Sequence, residues 1–369
     1  MNDIFCSAPW TSLFIDTTGE VKPCCAGSFP LGNINVDDVG DIINGPTHLA
    51  IKQGILDGVK QKHCEGCYQI EQQSGDSTRQ WFNKFAPIDN PNIDQYTLTM
   101  IDIRWSNHCN LRCLYCGSRN SSSIAEFQGI KEKKTIKKWQ QEILELIKDN
   151  ILSIREVFLL GGEPLLMKEN LELLDYITDQ NIVVFTNLST PLTNNKIFQK
   201  LLTKPNVGWH VSLEQTGKKF EFVRNNASWN LVLDNLYKLK ELKKNIAFTM
   251  QYCVYSAFDL HSILSELTTI APIKLAILTN PECLNIMNHV SEIKTLAADE
   301  INKIFDDQEL LNRLQQDDKN ILSAIKNNLI DGYDSNMAYE FIKRQQYNPG
   351  PLQFKELWPD IWDIMLKNS

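Results

Sequence analysis

The sequence predicts an α/β fold built on parallel βα units, and three observations carry that expectation. From about residue 95, short apolar runs alternate with longer amphipathic ones, the spacing of strands joined by crossover helices. Residues 1 to about 90 are turn-rich instead, with few long apolar runs and five cysteines. A charged, helical stretch follows from about residue 296. Across 369 residues, 43% are hydrophobic and 22% charged, so a sizeable core can form. The length suits two domains, or one barrel with an appendage.

The N-terminal segment begins with extended runs at 5–9, 13–17 and 20–23 that suggest a hairpin turning at Thr18-Gly19. Gly32-Asn33 and a short helix over 47–56 follow. The strands that follow are expected at 96–105, 157–160, 182–186, 208–213, 247–255 and 273–278. The helices between them are expected at 135–148, 168–177, 194–202, 229–242 and 260–267. Six units are too few to close an eight-stranded barrel. The expected architecture is a partial, open (β/α)6 TIM-like barrel over 93–290, with a small cysteine-rich lobe over 1–92 and a helical extension over 291–369.

Composition excludes several classes of function. Acidic residues outnumber basic ones 45 to 37, a net charge of −8, which makes nucleic acid a poor default partner. No run approaches the ~18 apolar residues of a membrane span, and 1–6 lack the basic and apolar regions of a secretory signal. The expected compartment is the cytoplasm. Disulfides do not persist there, so ten cysteines read as metal ligands or catalytic thiols. Eight of the ten lie before residue 117.

Directly after the first barrel strand stands Cys109-Asn-Leu-Arg-Cys113-Leu-Tyr-Cys116, a CxxxCxxC spacing. At ten cysteines in 369 residues, chance supplies a given three-cysteine spacing roughly 0.007 times. Three thiolates on one loop can hold three irons of a [4Fe–4S] cube and leave the fourth open. A zinc knuckle is the other reading, but it wants a fourth ligand nearby, and His108 adjoins Cys109 too closely to close a tetrahedron.

This motif, with Tyr115 before its last cysteine, resembles the radical S-adenosylmethionine (SAM) superfamily. Gly161-Gly162-Glu163-Pro164 at the end of the second strand matches that family's GGEP motif, although GGEP alone could be an ordinary strand-to-helix turn. Thr186-Asn187 resembles its TN motif, and Ser212-Leu213-Glu214 its S-L-D, with Glu in place of Asp. The resemblance covers about 96–280. It implies that Glu163 meets the ligand's ammonium, that Asn187 and Ser212 face the ribose or methionine carboxylate, and that Glu214 does so less securely because of its departure. Arg224 matches an arginine that follows this motif in many relatives and would pair with the carboxylate; its other reading is a surface arginine opening a helix.

Cys6 and Gly19 are separated by twelve residues and Gly19 and Cys24 by four. This resembles the CX9–15GX4C half of SPASM and twitch domains, which hold auxiliary iron–sulfur clusters. With Cys64-Glu-Gly-Cys67, the set Cys6, Cys24, Cys64 and Cys67 is complete for one auxiliary [4Fe–4S] cluster, and Cys25 is a possible substitute for Cys24. In relatives the module usually follows the barrel; here it precedes it. A four-cysteine zinc ribbon is the competing reading.

The resemblance implies a radical SAM oxidoreductase whose cofactors are the [4Fe–4S] cluster, SAM and the auxiliary cluster. It implies a one-electron reductant of flavodoxin or ferredoxin type and oxidative modification, by crosslink or dehydrogenation, of a peptide or protein. The alternatives are a redox-neutral epimerase in which Cys283 donates hydrogen, radical modification of a small molecule or RNA, and a non-catalytic zinc or iron–sulfur binding module. Cys283 follows the sixth strand and could instead be a loop cysteine without a role.

Overall fold

The computed structural model describes residues 3–73, 77–130, 139–331, 335–345 and 350–369. In chain order the strands among them are β1 (Ser12–Ile15), β2 (Glu20–Lys22), β3 (Gly32–Asn33), β4 (Met100–Ile103), β5 (Arg112–Cys113), β6 (Glu156–Leu159), β7 (Asn181–Thr186), β8 (Val207–Ser212), β9 (Arg224–Asn225), β10 (Asn245–Tyr252) and β11 (Ile273–Ile277). The chain divides into two compact units. One comprises Met1–Cys109, Ser118–Phe185 and Leu192–Gly208; the other comprises Asn110–Gly117, Thr186–Pro191 and Trp209–Ser369.

In the first unit the strand order is β3-β2-β1-β4-β6-β7. β4, β6 and β7 pair in parallel, with Ile101 opposite Val157 and Val157 opposite Ile182. The predicted N-terminal hairpin forms, Phe14 facing Lys22 across it. Its turn needs the left-handed backbone of Gly19, at φ +81°. β1 also pairs in parallel with β4, Leu13 opposite Ile101, so the cysteine-rich segment continues the sheet of the βα units. Beneath it, Phe5, Cys6, Trp10, Ile55, Phe82 and Met100 form one apolar cluster, with Cys24 and Phe158 packed on its margin.

The second unit carries β8, β10 and β11 side by side. β10 and β11 run parallel, Met250 opposite Leu275, and Leu213 N–H donates to the Thr249 carbonyl at 3.1 Å. β5 and β9 form a separate antiparallel pair, Cys113 opposite Arg224. Along β7 and β10 every second residue is fully buried, and most of those between are half-buried. Parallel strands are normally covered on both faces, and in each strand this half-buried row is the less covered one.

All six predicted barrel strands are present, and the intervening helices form at Trp139–Asp149, Glu169–Tyr176, Lys196–Leu202, Trp229–Glu241 and Leu260–Leu267. Residues 135–138 of the first expected helix lie outside the described residues. Three details differ from expectation. Residues 8–11 are helical, with proline in the first turn, rather than extended. The first barrel strand is four residues long rather than ten. The fifth ends at Tyr252, where Cys253 and Ser256 cap a short helix over Val254–Ala257. The C-terminal region is helical as expected, including Ser291–Asp306, Gln316–Asp331, Ala338–Gln345 and Pro359–Lys367. Its aromatic stretch packs rather than standing free, Phe354 stacking on Trp358 at 4.8 Å and meeting Phe341 at 4.9 Å.

Candidate iron–sulfur and cofactor site

In the second unit, the segment that carries Cys113 and Cys116 is held by its backbone. Cys116 N–H donates to the Cys113 carbonyl at 3.0 Å, closing one turn that brings the two residues together, and Leu114 N–H donates to the Val223 carbonyl at 2.9 Å. Arg224, the β-partner of Cys113, makes two 2.8 Å bonds to Glu214, and both side chains are almost wholly buried. Tyr115 donates its hydroxyl to the same carboxylate at 3.2 Å, and the Arg224 guanidinium lies 5.6 Å from its ring centroid. Burial would disfavour the Arg224 cation, and the Glu214 carboxylate beside it more than offsets this. Glu214 and Arg224 thus meet each other beneath the cysteine loop, and Arg224 is not a surface arginine. Asn187 Nδ2 donates to Asn110 Oδ1 at 3.0 Å, while Asn110 Nδ2 donates to the Ser189 carbonyl at 3.2 Å. Ser212 stands on the half-buried face of β8.

In the first unit, the strand β4 leads to Cys109, whose N–H donates to Ser122 Oγ at 3.2 Å. The Gly161–Pro164 turn closes directly over this exit. A Cβ at Gly162 would stand 2.3 Å from the His108 carbonyl oxygen, and one at Gly161, whose φ is +117°, would stand 2.7 Å from that of Ser106. The glycines therefore serve close packing of two backbone segments. Glu163 is fully buried, and its Oε1 accepts from Leu165 N–H at 3.1 Å, capping the short helix Pro164–Leu166. Trp105 donates to Asn170 Oδ1 and Asn170 donates to the Pro164 carbonyl, each at 2.8 Å, tying this turn to the strand end. Sequence reading missed Trp105 and Asn170 because 65 residues separate them.

The four N-terminal thiols share the first unit. Burial pushes the Cys6 thiol well up, and Cys64 and Cys67 beside it push the same way. Burial likewise raises Cys24, with Cys6, Cys25 and Cys64 adding to it, and raises Cys64 to about 11, with Cys67 adding. Cys25 is raised to about 11 by burial and by Asp102, a neighbour on β4. Cys24 rather than Cys25 packs on the margin of the Cys6 cluster. Among the described residues, no three His, Cys, Asp or Glu side chains close around a metal ion. The donor set nevertheless fits an iron–sulfur group in kind: thiols of which Cys6 neighbours Cys64 and Cys67, and Cys24 neighbours Cys6 and Cys64, and which must shed protons to become ligands.

Arg119, three residues after Cys116, donates to Asp16 at 2.5 Å, Glu20 at 2.7 Å and Thr18 Oγ at 3.1 Å in the hairpin turn. Against the burial that would raise it, bonds from Thr18 and Arg119 hold the Asp16 carboxyl below its ordinary range. Cys283 is buried in the short helix Glu282–Leu284, where burial raises its thiol. No helix among the described residues is long and apolar enough to cross a membrane.

Two family models match the chain: the radical SAM superfamily over 103–267, and an iron–sulfur cluster-binding domain, SPASM, over 6–68. No curated protein matches it. Among solved structures, that of anSMEcpe with bound AdoMet is 14% identical at a TM-score of 0.43, covering 57% of this chain and 61% of that one. Streptococcus suis SuiB bound to S-adenosylmethionine is 16% identical at 0.40, covering 72% and 60%. TYW1 with a lysine-pyruvate adduct is 16% identical at 0.38, covering 64% and 80%. The chain thus spans about three fifths of the length of the first two. The radical SAM domain brings a [4Fe–4S] cluster and SAM as cofactors, and the SPASM domain an auxiliary iron–sulfur cluster. The chain therefore carries a radical SAM domain over 103–267, with a SPASM domain placed ahead of it over 6–68.

Proposed function

We propose that this enzyme oxidises a peptide or protein substrate, forming a crosslink or an unsaturated bond. The observation that carries this reading is the second set of gathered thiols, Cys6, Cys24, Cys64 and Cys67, in the unit whose strand β4 leads into Cys109. An auxiliary cluster held there would accept the electron left on a substrate radical. Structures of anSMEcpe with the Cp18Cys peptide and of SuiB with its precursor peptide SuiA contain peptides; we propose the same substrate class here.

When bound, the cluster and SAM supply a 5′-deoxyadenosyl radical that abstracts a substrate hydrogen. In our reading Cys109, Cys113 and Cys116 hold that cluster. Gly161, Gly162 and Pro164 would shape the wall beside SAM, and Glu163 would accept from its ammonium. Asn187 and Ser212 orient the ribose and carboxylate. Tyr115, Glu214 and Arg224 act one layer back and fix the cysteine loop, which is what their mutual bonds support. The half-buried row of Phe158, Val183 and Phe185 would keep water from the substrate radical. A flavodoxin- or ferredoxin-type reductant would deliver the electron, in the cytoplasm.

Anaerobic protein supplied with dithionite and SAM tests this directly. About eight irons per chain, from two four-iron clusters, and release of 5′-deoxyadenosine are expected. Cys64→Ala should bind about four fewer irons and still release 5′-deoxyadenosine, but without substrate oxidation. Zinc in place of iron would overturn the reading. An oxidised product from the Cys64→Ala variant would remove the auxiliary cluster from the mechanism.

A further inference from the structure

Leu114 lies between Cys113 and Cys116, and its carbonyl accepts two bonds from one side chain: Arg344 Nε at 3.1 Å and Nη2 at 2.7 Å. Arg344 belongs to the helix Ala338–Gln345, beyond the radical SAM match that ends at 267. That helix is firmly seated. Phe341 is fully buried against Phe354, Tyr255 and His289. Gln345 Nε2 donates to the Tyr255 hydroxyl at 3.1 Å, and Met337 N–H to the Asn288 carbonyl at 3.1 Å. Arg344 is thus held at the loop by a helix seated in the core.

The two arginines at this loop differ in charge balance. Arg224 is neutralised by Glu214. Among the described residues, no carboxylate forms an ion pair with Arg344, and its bonds go to a neutral carbonyl.

We propose that Arg344 is a positioning residue that also raises the reduction potential of the cluster on Cys109, Cys113 and Cys116. The inference rests on assigning that cluster to those cysteines. Reduction adds one electron, supplied by the external donor, to a centre already bearing thiolate charge. A fixed cation nearby stabilises the reduced form more than the oxidised one, and net charge and hydrogen bonding are what set such potentials. The fork on the Leu114 carbonyl keeps the guanidinium from swinging to solvent.

The experiment is a redox titration of the full chain followed by electron paramagnetic resonance, without SAM, in a Cys64→Ala background that isolates one cluster. Arg344→Gln is expected to lower the midpoint by about 60 mV, tenfold in the one-electron equilibrium, while Arg344→Lys stays nearer the parent. Arg344→Met keeps the stem and supplies a second neutral variant should the glutamine one fail to fold. Neutral variants at the parent potential, or a lysine variant shifted as far as they are, would overturn the proposal. Adding Cys116→Ala must abolish the signal. If the signal survives, the ligand assignment has failed rather than the role of Arg344.

Discussion

Cys116→Ala is expected to lose about four irons per chain, one cluster, and all release of 5′-deoxyadenosine. Cys113 and Cys116 sit in a single turn closed by one 3.0 Å hydrogen bond, so removing one thiolate leaves no neighbouring cysteine in that turn to replace it. The fold should persist, because both cysteines are only half-buried and the loop is tied down by Leu114, Tyr115 and the Cys113 backbone. Iron analysis, with chromatography of SAM products under dithionite, decides the matter. Full iron content with undiminished cleavage would move the radical site elsewhere.

Arg224→Leu should be the most damaging single change to stability, at roughly 3–5 kcal/mol, because it strands the Glu214 carboxylate without its partner in a dry site. Glu214 is about 1% exposed, so water cannot reach it without local opening. The double variant with Glu214→Leu should recover much of that loss, since apolar pairs of similar volume often replace a buried ion pair at little cost. Chemical denaturation of the two single variants and the double one measures the coupling. A loss below about 1 kcal/mol for Arg224→Leu, the worth of an exposed pair, would contradict the burial described here.

What the sequence revealed follows physical range. Strands such as Asn181–Thr186 and helices such as Leu260–Leu267 were legible because their apolar periods are local. The GGEP turn and the 109–116 cysteine motif stand out because the residues of each lie close together in sequence. Purpose was less legible than placement. Gly161 and Gly162 read as a family motif, yet a side chain at Gly162 would meet the backbone at 107–108, and one at Gly161 would meet Met167 and the Ser106 carbonyl. Arg224 read as a carboxylate binder and meets a carboxylate, but the chain's own. Arg344 left no local signal, lying 230 residues from the carbonyl it grips. The helices Glu65–Gln73, Thr78–Phe85 and Gly217–Val223 escaped notice because each is short and interrupts no clear period.

The parallel pairing of β1 with β4 bears on how such proteins can be dissected and recombined. The SPASM region shares main-chain hydrogen bonds with the first barrel strand, so it cannot be shed as a bead is cut from a string. A fragment beginning near residue 93 would expose one whole side of β4, four buried residues long and three of them apolar, while β6 holds the other. Unpaired edges of that kind recruit strands from other chains. Such a fragment is expected to associate, as light scattering would register, and a monodisperse one would contradict the pairing. Grafting a foreign auxiliary domain onto this barrel would require a donor strand in register with Met100–Ile103, a demand set by the ladder and independent of the irons.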